Sequence, residues 1–568
     1  MKRIFFLISL SLIVNTSLKA QNQDYALEKL ESIGEIIISF DYQYLKINPN
    51  LSNEVSIDKL QEDRVFAYVN KEEFLSFLGK NIPWKIEAHT SESSEDLKMF
   101  HQIGNKAITE WDAYPTYGAY EDLMYSFAED YPHLCRLDTI GILSSGRKLL
   151  SIVITKDADE IQDKPQFLYT STMHGDEVVG YILMLRLIDH ILNNYNIDSR
   201  ITDLVDNTII HINPLANPNG TYRGGDNTLA LAIRYNGNFV DLNRNYKDFI
   251  KGDHPDGKEW QEETIAFMEY AQRYDFVMSA NFHGGAELAN YPWDNQTTLP
   301  ADAHWWYMVA KEYADTAQKM SNYNGYFTEN LGGAVPGVTN GAAWYMIDGG
   351  RQDYMNFYEN CREITLEISK TKKPNGSQLP SFWHYNYNSI INYWNEVLYG
   401  FRGIVTDSTT SIPLHAKISI LDHDFDNSHV YTAMPIGNYH RLVKAGTYSL
   451  KFEAEGYCNK IIENQHIGDK ESRRIDVELV PCDVGIGKNQ SFVKRIYPNP
   501  VKDIFYIETN DNESFSYKIF DILGREIISQ KSDNKNISTI KTSHLKSGIY
   551  ILRVFQNGFV ENFQLIKD

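Results

Sequence analysis

The run Gln166-Phe-Leu-Tyr-Thr-Ser171, followed two residues later by His174-Gly-Asp-Glu177 and then by the stretch Val178 to Leu192, decides how this chain is read. A short, largely apolar run gives a strand, and the residues after Glu177 carry the apolar period of a helix. A spacing of three across a turn into a helix lets the side chains of His174 and Glu177 point the same way. The pattern recurs outward from this point. Helical periodicity at Tyr120 to Phe127, Val178 to Leu192, Glu262 to Gln272 and Ala303 to Met320 alternates with further apolar strands. Those strands are Leu149–Ile154, Thr208–Ile212, Phe276–Phe282 and Ile364–Ser369. Such alternation predicts an α/β domain over residues 105–400, with a mixed, mostly parallel sheet covered by helices.

The 568 residues are too many for one core. Ahead of the α/β domain, Met1-Lys-Arg3, an apolar run from Ile4 to Val14 and a small residue at Ala20 predict a signal peptide over 1–20. No later apolar run is long enough to span a membrane. Residues 21–98 combine a helical start with apolar runs at Ile36–Phe40 and Val65–Val69 and end in a polar tract, His89 to Asp96. After Gly400 the helical pattern stops, and two small all-β modules are expected, 401–482 and 495–568, joined by a Gly-containing linker at Asp483 to Asn489. The net charge of −21 argues against nucleic acid as a partner. Four cysteines cannot form a disulfide framework, but Cys458 and Cys482, near the ends of one late segment, have the placement to pair in an oxidising compartment.

The chemistry gathers in the middle domain. Two imidazoles and one carboxylate, His174, Glu177 and His283, make the donor set of a catalytic zinc with a fourth position left open. His283 ends a second strand, and open α/β sheets collect their sites at the carboxyl ends of strands. A single His or Glu there is also a common capping or surface residue. Asp241-Leu-Asn-Arg-Asn245 adds more: Arg244 pairs bidentately with carboxylates, and Asn243 beside it donates to the same group. Arg234 is a second fixed cation, suited to polarising a carbonyl and stabilising an oxyanion. Asp241 is placed to accept from the free nitrogen of a ligating His. Glu367 faces away from Ile364, Leu366 and Ile368 on its strand, and a buried carboxylate there needs a partner such as an activated water.

Residues 111 to about 400 resemble the zinc carboxypeptidases, most of all their regulatory branch (carboxypeptidases D, E, M and N). The resemblance is carried by His174-Gly-Asp-Glu177, Asn217-Pro-Asn-Gly220, Arg234 with Asp241 to Asn245, and the segment His283 to Asp294. It continues through Gly337 to Tyr345, Gly349-Gly-Arg-Gln-Asp353 and Thr365-Leu-Glu367. The resemblance implies one zinc on His174, Glu177 and His283, with Glu367 activating water and Arg234 holding the scissile carbonyl. Asn243 and Arg244 would bind a terminal carboxylate, and Tyr345 would close over the substrate. Asp294 and Gln352 would lie at the side-chain pocket and favour a C-terminal Arg or Lys. Digestive relatives carry Arg immediately before the zinc Glu; Asp176 stands there, which loses a cation.

Residues 401–482 resemble the transthyretin-like domain of the same branch, and 495–568 the C-terminal sorting domain of type IX secretion in Bacteroidota. Segment 21–98 matches a prosegment in size and position only. Together these imply an exported zinc metallocarboxypeptidase, secreted or held at the cell surface, that meets the type IX machinery and peptides with a free C-terminus. Two alternatives stay open: the same chemistry on peptidoglycan stem peptides, and a non-enzymatic surface binding protein.

Overall fold

The computed structural model describes residues 22–89, 97–101, 110–333, 335–482, 492–510, 513–521, 525–532, 537–556 and 559–568. The expected leader (1–20), most of the polar tract (90–96) and the linker 483–489 lie outside them. The chain divides between Val480 and Pro481 into two compact units.

The first unit opens with an antiparallel sheet of β1 (Glu35–Asp41), β2 (Ser56–Gln61), β3 (Arg64–Asn70) and β4 (Trp84–Glu87), in the order β2-β3-β1-β4. Strand alternation splits β1 and β3 into two faces. Ile36, Ile38 and Phe40 pair in register with Val69, Ala67 and Val65, and they build a core with Phe74 and Phe77. The latter two come from α1 (Lys71–Gly79), which starts in a capping box of Asn70 and Glu73. The opposite face sends Ile37 and Tyr68 against Ile233 and Tyr235 of the central domain. This N-terminal lobe therefore has its own core and a second face already committed to the rest of the molecule.

The central sheet has eight strands: β5 (Cys135–Ile142), β6 (Lys148–Ile154), β7 (Gln166–Ser171), β8 (Ile209–Asn213), β9 (Met278–His283), β10 (Glu287–Tyr291), β11 (Val338–Asn340) and β12 (Arg362–Ile368). Their order is β11-β10-β12-β9-β7-β8-β6-β5. The central run β12-β9-β7-β8 is parallel, and antiparallel pairs enter on both sides of it, β10 with β12 and β8-β6-β5. One face is covered by helices 117–130, 179–194, 303–320 and 379–395, the other by 262–273 and 351–357. The mixed, mostly parallel sheet between helices expected from the sequence is thus the observed fold.

Residues 400–479 form two facing sheets around Phe401, Val405, Ile418, Leu450 and Phe452. Buried charge ties them to the central domain. Asp302 accepts from Arg362 at 2.9 Å, and it pairs with Arg441 at 2.9 Å and His423 at 2.8 Å from the β-layer. The second unit is all β, with three- and four-stranded antiparallel sheets around Phe505, Ile507, Tyr517, Ile519, Leu552 and Val554. Cys458 and Cys482 are disulfide-bonded, while Cys135 and Cys361 are buried free thiols.

Candidate active site

Three adjacent parallel strands deliver the predicted donors to one place. β7 ends at Ser171, and the chain then turns through Thr172, a β-branched residue held at φ 63°. This is a costly conformation for such a side chain, and it re-aims the backbone between strand and helix. The Thr172 hydroxyl donates to the Glu177 carbonyl at 3.2 Å and closes the turn. Gly175 within it lies so near the Gly220–Thr221 backbone that a Cβ would approach to 2.5 Å, so only glycine fits. His283 closes β9, and its parallel partner across the ladder is Glu367 on β12. Strand register thus sets the distance between them.

The ligand atoms of His174, Glu177 and His283 lie within 4.8 Å of one another, and all three side chains are buried. His174 Nδ1 is 3.0 Å from one oxygen of Glu177, and His283 Nδ1 is 2.9 Å from the other. The two Nδ1 atoms are only 3.1 Å apart. Two imidazole nitrogens and a carboxylate turned toward one point, inside the protein, fit a zinc ion. Each ring is fixed through its other nitrogen. His174 Nε2 meets Asp241 at 3.0 Å, and His283 Nε2 meets the Asn281 side-chain amide at 2.8 Å.

The buried charges of these groups act on one another. Burial and Arg234 resist protonation of His174, but Glu177 and Asp241 carry its pKa upward. Burial leads for His283 and pushes it down to about 4, which leaves this imidazole neutral and ready to ligate. Burial opposes ionisation of Glu177, yet His174, Lys372 and His283 hold its pKa well below the usual carboxylate range. For Glu367 burial, followed by the charge of Glu177, raises the pKa well above that range. Its Oε2 is buried without a hydrogen-bond partner among the described residues.

The remaining predicted residues line the same cleft or stand directly behind it. Arg234, buried, donates to Asp241 at 3.1 Å and to Glu177 at 3.4 Å. Arg244 is buried, and its Nε and Nη2 have no hydrogen-bond partner among the described residues. Asn243 spends its carbonyl on the Arg351 N–H at 2.9 Å, which leaves its amide end to donate. Tyr345 reaches the cleft from the turn after Trp344, and burial raises its pKa to about 12. Asp294 is buried and accepts from Asn290 at 2.9 Å and Gln352 at 3.1 Å; among the described residues no cation pairs with it directly, and burial raises its pKa to about 6. Gly341 makes room for it, since a Cβ there would lie 1.7 Å from Asp294 Oδ1.

Sequence reasoning missed three features. Lys372, buried, reaches to 3.2 Å from Glu177 and 3.7 Å from Asp176. It lies just past the strand that carries Glu367, within Lys370-Thr-Lys-Lys373, and that clustering was its only signal. Asn290 was visible in the segment His283 to Asp294 but without a role. Ser56, Ile57 and Asp58 of the N-terminal lobe enter the cleft, and nothing in their sequence announces it.

The chain is similar to known zinc carboxypeptidases. A family model described as "Zinc carboxypeptidase" matches residues 120–399, and one described as "Secretion system C-terminal sorting domain" matches 495–567. Carboxypeptidase D of Homo sapiens is 35% identical over 374 residues, covering 63% of this chain but only 26% of its own length. The chain therefore spans about a quarter of that relative. Carboxypeptidase M of Mus musculus is 34% identical over 383 residues, covering 64% of this chain and 79% of its own. A solved structure, carboxypeptidase A from Helicoverpa armigera, aligns with a TM-score of 0.48 at 17% identity, over 64% of this chain and 96% of that one. The chain belongs to the zinc carboxypeptidase family.

Proposed function

We propose that the protein is an exported zinc metallocarboxypeptidase that removes C-terminal Arg or Lys from peptides. One observation carries the specificity: the buried Asp294 carboxylate, fastened by Asn290 and Gln352, lines the same small cleft as the unpartnered edge of Arg244. A substrate whose last residue offers a carboxylate to Arg244 and a cation to Asp294 satisfies both groups at once.

The roles follow from position. Zinc, held by His174, Glu177 and His283, supplies Lewis acidity that polarises a carbonyl and makes a water more acidic. Arg244 and the amide of Asn243 grip the terminal carboxylate and set the register of the peptide. Asp294 takes the basic side chain. Glu367 faces the cleft from β12; its carboxylate, favoured once the charge of a bound zinc offsets that of Glu177, accepts the proton of the attacking water and returns it to the leaving amine. Arg234 presents its guanidinium where negative charge develops on the former carbonyl oxygen. Asp241 holds the His174 ring in orientation, and Tyr345 covers the bound residue. The sorting domain at 495–567 supports an encounter with the type IX machinery and a place outside the cell or on its surface.

The test is a set of peptides identical except for the last residue, offered to zinc-loaded protein. Release of Arg and Lys well ahead of Leu, Phe or Glu is expected. Preference for an apolar or acidic terminus would refute the specificity, and no release of any residue would refute the activity.

A further inference from the structure

Arg351 stands in Gly349-Gly-Arg-Gln-Asp353, next to Gln352, yet its buried side chain runs under the central sheet instead of into the cleft. It opens the helix 351–357 and packs over the Phe267 ring, 5.2 Å from the centroid. The sheet face above it carries a row of polar side chains. Strand alternation puts Ser279, Asn281 and His283 of β9 on one side. Across the parallel ladders Asn281 stands opposite Thr170 of β7, and Ser279 opposite Glu363 of β12. Both pairs are closed: Thr170 donates to Asn281 Oδ1 at 3.0 Å, and Ser279 donates to Glu363 at 2.7 Å. Arg351 bridges the two. One arm of its guanidinium donates to Thr170 Oγ1, the other to Glu363 at 3.1 Å. From Asn281 the row ends on the ligand itself, at His283 Nε2, 2.8 Å away.

Thr170, Ser279, Asn281, Arg351 and Glu363 are all buried. A wholly buried ion pair adds little stability over an apolar pair of the same volume. This one is not even saturated, since Arg351 Nε and Glu363 Oε1 have no hydrogen-bond partner among the described residues. What the pair supplies is geometry. The guanidinium is a rigid planar fork, so fixing one arm on Glu363 fixes the other on Thr170. Thr170 and Asn281 can each donate or accept, so the connection serves either tautomer of His283. A ligating imidazole is oriented by the partner of its free nitrogen. Here that partner is held in turn from both strands that flank β9. The main chain beside Arg351 has a separate task. Its N–H donates to Asn243 at 2.9 Å, and the Gln352 side chain donates to Asp294 at 3.1 Å. Neither contact uses the Arg351 side chain.

We propose that Arg351 is a positioning residue for the metal centre, its guanidinium fixing the His283 ring through Thr170 and Asn281. The proposal rests on the carboxypeptidase reading for its effect on turnover, but not for its effect on the metal.

Two variants of the full chain test it. Thr170→Val keeps the side-chain volume and removes the hydroxyl, leaving the ion pair in place. Arg351→Lys keeps a charge beside Glu363 and removes the fork. Zinc affinity is measured by competition with a chromogenic chelator. Each variant should hold zinc about tenfold less tightly, and the double variant should fall well short of the product of the two losses, because both cut one connection. In release of Arg from a peptide, kcat should drop severalfold while KM stays within about twofold, since Asn243 and Gln352 keep their contacts. Parent-like zinc affinity in Thr170→Val overturns the proposal, and this variant decides alone if Arg351→Lys does not fold. Losses that multiply in the double variant also overturn it, as does a rise in KM that matches the fall in kcat, which is what a loosened fold would give. Weakened zinc with no release by parent or variants upholds the positioning role and overturns the functional reading instead.

Discussion

Replacement of Asp294 by Asn tests the specificity assignment at its base. The amide keeps the shape of the carboxylate, and its carbonyl oxygen can still accept from Asn290 and Gln352. Only the charge is lost. Burial lifts this carboxyl from its ordinary 3.8 to about 6, which amounts to about 3 kcal/mol held against its ionisation. A substrate guanidinium seated on the carboxylate recovers an energy of that size. Asp294→Asn should therefore lower kcat/KM for peptides ending in Arg by roughly two orders of magnitude. Peptides ending in Leu should change by less than about threefold, since they never used the charge. The pH dependence has a definite sign. The folded pKa is raised, so the carboxyl is neutral below about 6 and KM for Arg peptides climbs as pH falls through that value. In the Asn variant this limb vanishes. The same shift makes the ionised carboxylate a burden on the fold, absent at low pH and fully present once pH passes about 6. The variant should thus be more stable than the parent at pH 7, by up to about 3 kcal/mol, with no gain at pH 4. The assay is initial-rate release by the zinc-loaded protein, with paired Arg and Leu peptides from pH 5 to 8. An Arg-to-Leu ratio unchanged by the substitution would refute the pocket, whatever the stability measurement gives.

Glu367→Gln should lower kcat by about a thousandfold while zinc content, read by elemental analysis of the dialysed protein, stays at one per chain; a loss of metal instead would place Glu367 among the ligands. His283→Ala should fail to retain stoichiometric zinc, and stripping zinc from the parent with a chelator should lower its unfolding temperature, because a ligand that binds only the folded state stabilises it. An unchanged unfolding temperature would place the metal elsewhere. Asp302 tests the tie between the central domain and the β-layer. Burial pushes its pKa up, but Arg441 above all, with His423 and Arg362, holds it well below the carboxylate range. A depressed pKa gives stability that is present above the unfolded value near 4 and fades as pH falls below it. Asp302→Asn should cost about 3 kcal/mol at pH 7 and measurably less at pH 3, since the loss shrinks only as pH falls from the unfolded value toward the depressed folded one, by denaturant titration; equal losses at both would remove charge from the explanation.

Much of the centre was legible because its chemistry is local in the chain. His174 and Glu177 share one turn, Asn243 and Arg244 are neighbours, and strand periodicity turned Glu367 away from the apolar face. Fold class was legible for a related reason: apolar periods of two and of 3.6 alternate clearly between residues 117 and 395. What stayed hidden was non-local. The antiparallel edge formed by β5, β6 and β8 arises from pairing choices that no single strand announces. Nor does anything in Ser56-Ile57-Asp58 distinguish a strand that ends in solvent from one that ends against Arg234. Burial patterning says that a face is covered. It does not say by what.

Asp176 shows how far this goes. Read along the sequence, an acid next to Glu177 removes a positive charge from the site. In space the loss is made good by Lys372, nearly two hundred residues later, whose ammonium lies 3.7 Å from Asp176 and 3.2 Å from Glu177. Burial alone would drive that lysine toward neutrality, yet Asp176 and Asp58 lead the charges that raise its pKa well above the ordinary value. The same swap that erased a local motif is therefore answered in space by one lysine, met by carboxylates of the central domain and of the N-terminal lobe together.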